Sequence, residues 1–195
     1  MQWTLSNQLT VGRVLLIPLF MIAFYIPGFP GYTIAALIFA IASATDWLDG
    51  YLARTRGEVT AFGRFLDPVA DKLLVSAALV LLVEAERAPA LLAVIIIGRE
   101  IAISALREWL AERATVVHVS MLGKLKTATQ MLSIVALLLH IDVLGINMHA
   151  TGLILLWISA ALTLWSGYEY IRAAWPELVG KESLSTNTSA TSADE

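Results

Sequence analysis

Six stretches of this chain are apolar for long enough to cross a bilayer, and that recurrence restricts the backbone more than any other feature. A spanning helix needs about 20 mostly apolar residues, and such runs lie at roughly 9–27, 32–53, 66–86, 89–111, 121–140 and 150–172. No water satisfies a peptide group in lipid, so each run is expected to be helical. The expected fold is all-α: a polytopic integral membrane protein with six transmembrane helices. Composition agrees, since 58% of the 195 residues are hydrophobic and mean hydropathy is +0.74, well above a soluble domain. Cysteine is absent, which excludes disulfides, thiolate metal ligands and cysteine nucleophiles. The N-terminus lacks the charged segment, short apolar core and small-residue cleavage site of a signal peptide, so the first run is expected to stay in place.

Charge orients these helices. The turn at Pro27, Gly28, Pro30 and Gly31 is uncharged, whereas 54–64 is polar and interrupted by Gly57 and Gly63. With 54–64 cytoplasmic, that side collects Arg13, Arg54, Arg56, Arg64, Lys72, Arg99, Arg107, Arg113, Lys124, Lys126, Arg172 and Lys181, and only Arg87 falls outside. Both termini are therefore predicted to be cytoplasmic. One membrane domain is expected over 1–180, followed by a disordered tail at 181–195, KESLSTNTSATSADE, which has no apolar periodicity.

Charge at membrane depth is costly, so the acids in DWLDGYLARTRGEVTAFGRFLDPVAD, Asp46 to Asp71, point to function. Asp46, Asp49, Gly50, Ala53 and Arg54 fall at i, i+3, i+4, i+7 and i+8, which is one helical face. Asp67 and Asp71 lie one turn apart on the next helix. If the connection folds back, two helices present two carboxylates each to a common point near the cytoplasmic boundary. Such charges repel unless a cation neutralises them. All-oxygen ligands favour Mg²⁺, or Mn²⁺ and Ca²⁺, over zinc, and four carboxylates suit a two-metal site. Arg54 supplies a fixed cation for a phosphate oxygen, and Gly50, Ala53 and Gly63 are too small to block a ligand. The plainer alternative pairs the acids with Arg54, Arg56, Arg64 and Lys72 as anchors of helix ends, but anchoring needs no such alignment.

Asp46-x2-Asp49-Gly50-x2-Ala53-Arg54-x8-Gly63-x3-Asp67-x3-Asp71 resembles the complete signature of the CDP-alcohol phosphotransferase family in type and spacing. That resemblance implies two divalent metals and displacement of CMP by an alcohol. Asp46, Asp49, Asp67 and Asp71 would be the metal ligands, for Mg²⁺ with Mn²⁺ as the alternative, and Asp71 would also be the catalytic base. Gly50 and Arg54 would hold the CDP moiety with Thr60 nearby, and Asn7 and Thr10 match the family's Asn-x2-Thr entry to the nucleotide pocket. An Asn and a Thr before an apolar run are equally ordinary helix caps.

The motif names a reaction, not an acceptor. Arg99 and Arg107 are eight residues apart, nearly on one helical face, and Lys124 and Lys126 open the next run. Cations beside a carboxylate-metal site suit an acceptor carrying its own anion, such as a phosphate. The alternative pairs Arg99 with Glu100 or an Asp and leaves Lys124 and Lys126 as interfacial anchors. Together with TVGRVLLIPLF and LDPVADKLLV, these segments resemble bacterial members of the family that use CDP-diacylglycerol as donor and sn-glycerol 3-phosphate as acceptor. Arg99, Arg107 and Lys124 would then bind the acceptor phosphate, with Lys126 assisting. The resemblance further implies a homodimer in the bacterial inner membrane, with a cytoplasmic-side site and no nucleic-acid partner. Other acceptors, namely inositol phosphate, serine or phosphatidylglycerol, remain open, and a divalent-cation transporter is a rival from another class.

Overall fold

The computed structural model describes residues 5–56, 61–111, 121–139, 142–143 and 145–179. Thr60 and the tail at 181–195 lie outside the described residues, as do the side chains of Asn7, Asp46, Asp49, Gly50, Arg54 and Lys124. Among the described residues six α-helices follow one another: α1 (Leu5–Phe24), α2 (Phe29–Arg56), α3 (Ala61–Glu84), α4 (Ala90–Ala111), α5 (Met121–Leu139) and α6 (Met148–Val179). Between α5 and α6 lies a small ribbon, β1 (Asp142–Val143) and β2 (Ile146–Asn147), paired antiparallel. The hydropathy runs do not reveal it, because two-residue strands are too short for any periodicity.

Each helix overlaps one apolar run, but the bounds differ where polar sequence continues the helix. The second run is expected to end near residue 53, and α2 continues to Arg56; the third is expected from about residue 66, and α3 begins at Ala61. Among the described residues, one helical segment, Met148–Trp175, is both long and apolar enough to cross a membrane by those criteria alone; Thr10–Phe24, Pro30–Thr45 and Leu125–Leu139 are shorter apolar stretches.

Local chemistry sets the turns. Gly28 has φ 86°, in the left-handed region that glycine enters without a Cβ clash, and Pro30 follows at the start of α2. Asn147 caps α6, its Oδ1 accepting the Ala150 backbone N–H at 2.8 Å. The end of α3 is a Schellman closure. Glu86 sits at φ 59°, the Glu86 N–H donates to the Val83 carbonyl at 3.0 Å, and the Arg87 N–H donates to the Leu82 carbonyl at 2.8 Å.

Packing then joins the helices. Phe20 of α1 and Phe39 of α2 are fully buried with ring centroids 6.0 Å apart, and Leu74, Leu79, Leu82, Leu92, Ile96, Ile134, Leu137 and Leu156 complete the same core. Helices in lipid associate through close packing and interhelical hydrogen bonds. At the α5–α6 contact Ser133 Oγ donates to the Gly152 carbonyl at 2.7 Å, and a Cβ on Gly152 would come within 2.7 Å of Leu137. The outward faces carry Leu15, Ile22, Val94, Ile101, Leu132, Ile154, Trp157 and Trp165, an apolar exterior suited to lipid.

The two ends of the bundle differ in character. At one end Tyr25 Oη donates to Glu84 Oε2 at 2.7 Å, and Arg87 does three things at once. Its guanidinium lies 3.7 Å from the Tyr32 ring centroid and donates to the carbonyls of Leu137 and Leu138 at 3.4 and 3.0 Å. Those carbonyls belong to the last turn of α5, where no intrahelical donor remains. Arg87, the one cation that charge counting leaves on the outer side, is thus a clamp joining α2, the α3–α4 turn and α5. Arg87→Met is expected to destabilise the protein by about 2 kcal/mol, through lost carbonyl bonds and ring contact. Thermal unfolding in detergent checks it, with basal activity at low temperature retained.

Candidate active site

The acids gather at the other end. Only residues 57–60 connect α2 to α3, so the C-terminal turns of α2, which carry Asp46 and Asp49, and the first turns of α3, which carry Asp67 and Asp71, lie at the same end of the bundle. Pro68 removes one backbone donor from α3 between its two acids, and Lys72 Nζ turns back to donate to the Pro68 carbonyl at 3.1 Å.

Asp67 is held from α1. Thr10 is fully buried, and its hydroxyl donates to Asp67 Oδ1 across 57 positions of sequence. A carboxylate has about four acceptor positions, so this bond orients Asp67 and leaves it capacity for a cation. The motif resemblance implies a nucleotide-pocket role for Thr10; the structure places it one contact from the acids.

Asp71 borders a small open cleft, with a cavity volume of about 30 Å³, between α3, α4 and α5, whose walls also include Glu100, Lys126 and Gln130. Glu100 Oε1 accepts from Arg99 Nη1 at 3.3 Å and from Lys126 Nζ. The Arg99, Glu100 and Lys126 side chains are 16%, 22% and 7% exposed, low enough that each charge needs its partner. Arg99 Nη2 also donates to Ser166 Oγ on α6 at 2.9 Å, and the arginine stem packs on Gly167. The Asp71 carboxylate acts electrostatically on Lys126 as well.

The structure therefore brings together Asp71 and Lys126, joins Arg99 to them through Glu100, and sets Thr10 on Asp67. Arg107, like Arg99, does not line the cleft itself, and its guanidinium stands 5.6 Å from the Tyr170 ring centroid on α6. Arg99 and Arg107 do face the same neighbour, as their spacing predicts, but that neighbour is α6. Sequence reasoning gives Glu100 only the role of a salt-bridge partner for Arg99 and passes over Gln130 and Ser166. The available signal was a polar side chain inside an apolar run, which marks a residue as buried without saying what it faces.

The described carboxylates fit a hard divalent cation. Asp67 and Asp71 stand one turn apart, offer oxygen only, and are accompanied by a hydroxyl on Asp67. Among the described residues no group of three or more His, Cys, Asp or Glu side chains is assembled, the side chains of Asp46 and Asp49 lying outside them.

Comparison with known sequences places this geometry in context. Residues 3–165 match the sequence model of a family described as CDP-alcohol phosphatidyltransferase. A Yersinia enterocolitica protein named CDP-diacylglycerol–glycerol-3-phosphate 3-phosphatidyltransferase is 47% identical over 183 residues, covering 92% of this chain and 99% of that protein. Proteins of the same name from Pseudomonas fluorescens and Haemophilus influenzae are each 49% identical, over 179 and 178 residues. Those two matches cover 89% of this chain, and 91% and 95% of the respective relatives.

Proposed function

The chain belongs to the CDP-alcohol phosphatidyltransferase family, and from that membership we propose that it transfers the phosphatidyl group of CDP-diacylglycerol to sn-glycerol 3-phosphate. The products are phosphatidylglycerophosphate and CMP, a step of phospholipid biosynthesis. The observation that carries the reading onto this chain's own residues is the cleft that sets the Asp71 carboxylate across from the Lys126–Glu100–Arg99 group. One side of that cleft can take a proton and the other can hold a phosphate.

Asp71 accepts the proton of the acceptor's 1-hydroxyl as that oxygen attacks the phosphorus on the diacylglycerol side. A phosphorus–oxygen bond forms to glycerol, the bond to the CMP oxygen breaks, and CMP leaves with the electron pair. Lys126, with Arg99 behind it, holds the acceptor's phosphate, together with Lys124 on the same helix. Arg107 is read as a further member of this phosphate-binding group. Gly50, Arg54, Thr60 and Asn7 hold the CDP moiety in this reading, and Thr10 fixes Asp67.

Asp46, Asp49, Asp67 and Asp71 would hold the family's divalent metal, which we read as two Mg²⁺ ions with Mn²⁺ as the alternative. When bound, the metal neutralises the diphosphate and the charge that develops on the leaving CMP. The six helices are read as crossing the bacterial inner membrane with both termini and the site cytoplasmic, and the assembly as a homodimer. The apolar exterior of the bundle supports the first of these, since the donor's acyl chains can stay in the bilayer while its headgroup reaches the cleft.

The test is CMP release by purified protein given CDP-diacylglycerol and, separately, glycerol 3-phosphate, inositol phosphate, serine and phosphatidylglycerol. Turnover is expected with glycerol 3-phosphate and with Mg²⁺, and is expected to vanish on chelation. Release with another alcohol but not with glycerol 3-phosphate would refute the acceptor assignment.

A further inference from the structure

Gln130 lies four residues after Lys126, on the same face of α5, and is 4% exposed. Its Oε1 is buried and has no donor among the described residues. A buried amide oxygen left without a donor loses its hydration and recovers nothing, so such atoms are ordinarily satisfied by an ordered water or a ligand. The nearby donors on α5 are engaged elsewhere. Lys126 is on Glu100, Thr127 on the Gly123 carbonyl, Thr129 on the carbonyls of Leu125 and Lys126, and Ser133 on the Gly152 carbonyl. The side chain borders the cleft together with Asp71, Glu100 and Lys126.

The geometry points to Gln130 as the residue that reads the acceptor's second hydroxyl, by accepting its hydrogen bond at Oε1. This rests on the reaction proposed above. An acceptor whose phosphate is held at Lys126 and whose attacking hydroxyl meets Asp71 spans the cleft that Gln130 lines, one helical turn from Lys126. In glycerol 3-phosphate the carbon between those two ends carries a hydroxyl, and a hydroxyl is a donor. Gln130 thereby sets specificity in a way Lys126 cannot, because the lysine recognises any phosphate. An acceptor without the middle hydroxyl leaves Oε1 unsatisfied and is disfavoured for that reason.

The experiment compares kcat/KM for sn-glycerol 3-phosphate and for 3-hydroxypropyl phosphate, which lacks only the middle hydroxyl, in the full-length protein with CDP-diacylglycerol and Mg²⁺. The wild type is expected to prefer glycerol 3-phosphate by on the order of tenfold to a hundredfold. Gln130→Leu is expected to lose most of that preference, falling on glycerol 3-phosphate while keeping its turnover of the deoxy acceptor. Gln130→Met, closer in length and equally without an amide, gives the same comparison if the leucine variant is not recovered from membranes. An unchanged preference, or an equal loss on both acceptors, overturns the assignment of Gln130 alone. Wild-type protein that releases CMP with neither phosphate but does so with another alcohol overturns the acceptor reading, and this assignment with it.

Discussion

Asp71→Asn is expected to lower CMP release by on the order of a thousandfold while leaving the fold intact. Asparagine keeps the size and much of the hydrogen bonding of aspartate, and Asp71 is partly exposed on the cleft wall, so the substitution opens no cavity. What it removes is charge. The carboxylate is the group that can take the acceptor's proton, and it is one of the two acids near the start of α3. Both losses act on the reacting atoms, which is why this change exceeds any other single substitution in the cleft. Thermal unfolding in detergent, run beside the CMP assay, separates chemistry from stability. Turnover retained within tenfold would remove Asp71 as base and as metal ligand.

Glu100→Gln has the largest expected effect on stability. It leaves Lys126, 7% exposed, and Arg99, 16% exposed, without the carboxylate that lies between them. Breaking a buried ion pair from one side costs about 3–5 kcal/mol, because the remaining charge stays desolvated and unpaired. The partial exposure of Glu100, 22%, places the expected loss near the lower end, about 3 kcal/mol. A double variant gives the sharper measurement. Glu100→Gln with Lys126→Met removes the Lys126 charge together with its partner, and is expected to recover part of the stability, Arg99 remaining without its carboxylate, while activity with glycerol 3-phosphate stays low. Full stability in Glu100→Gln alone would mean that water, rather than Glu100, compensates the two cations.

The helical plan is legible from hydropathy because a run of apolar residues reports where lipid can surround the backbone. Its errors fall at the polar ends. Helix α2 runs on past residue 53 to Arg56 and α3 starts before its apolar run, since backbone hydrogen bonding continues in polar sequence until a breaker or a cap stops it. The phase of Asp67 and Asp71 is legible for a related reason: both lie on one helix, and a spacing of four there is a fixed rotation. The opposite case is Arg87. Charge counting treats it as a stray outer cation, and the structure makes it the clamp on Tyr32 and on the end of α5.

By itself, then, the sequence determined six helices, the facing of residues within each, and a carboxylate motif characteristic of a CMP-displacing family. Only the tertiary structure decided that Thr10 holds Asp67, that Glu100 joins Arg99 to Lys126, that Arg107 turns to Tyr170, and that Gln130 borders the cleft with an oxygen that no donor among the described residues meets. The division has a physical cause. Relations inside a helix follow from its 3.6-residue repeat, whereas relations between helices depend on how each is rotated and how deep it sits. Those two quantities are set by contacts such as Phe20 on Phe39 and Gly152 against Leu137. No local spacing around the functional residues encodes them.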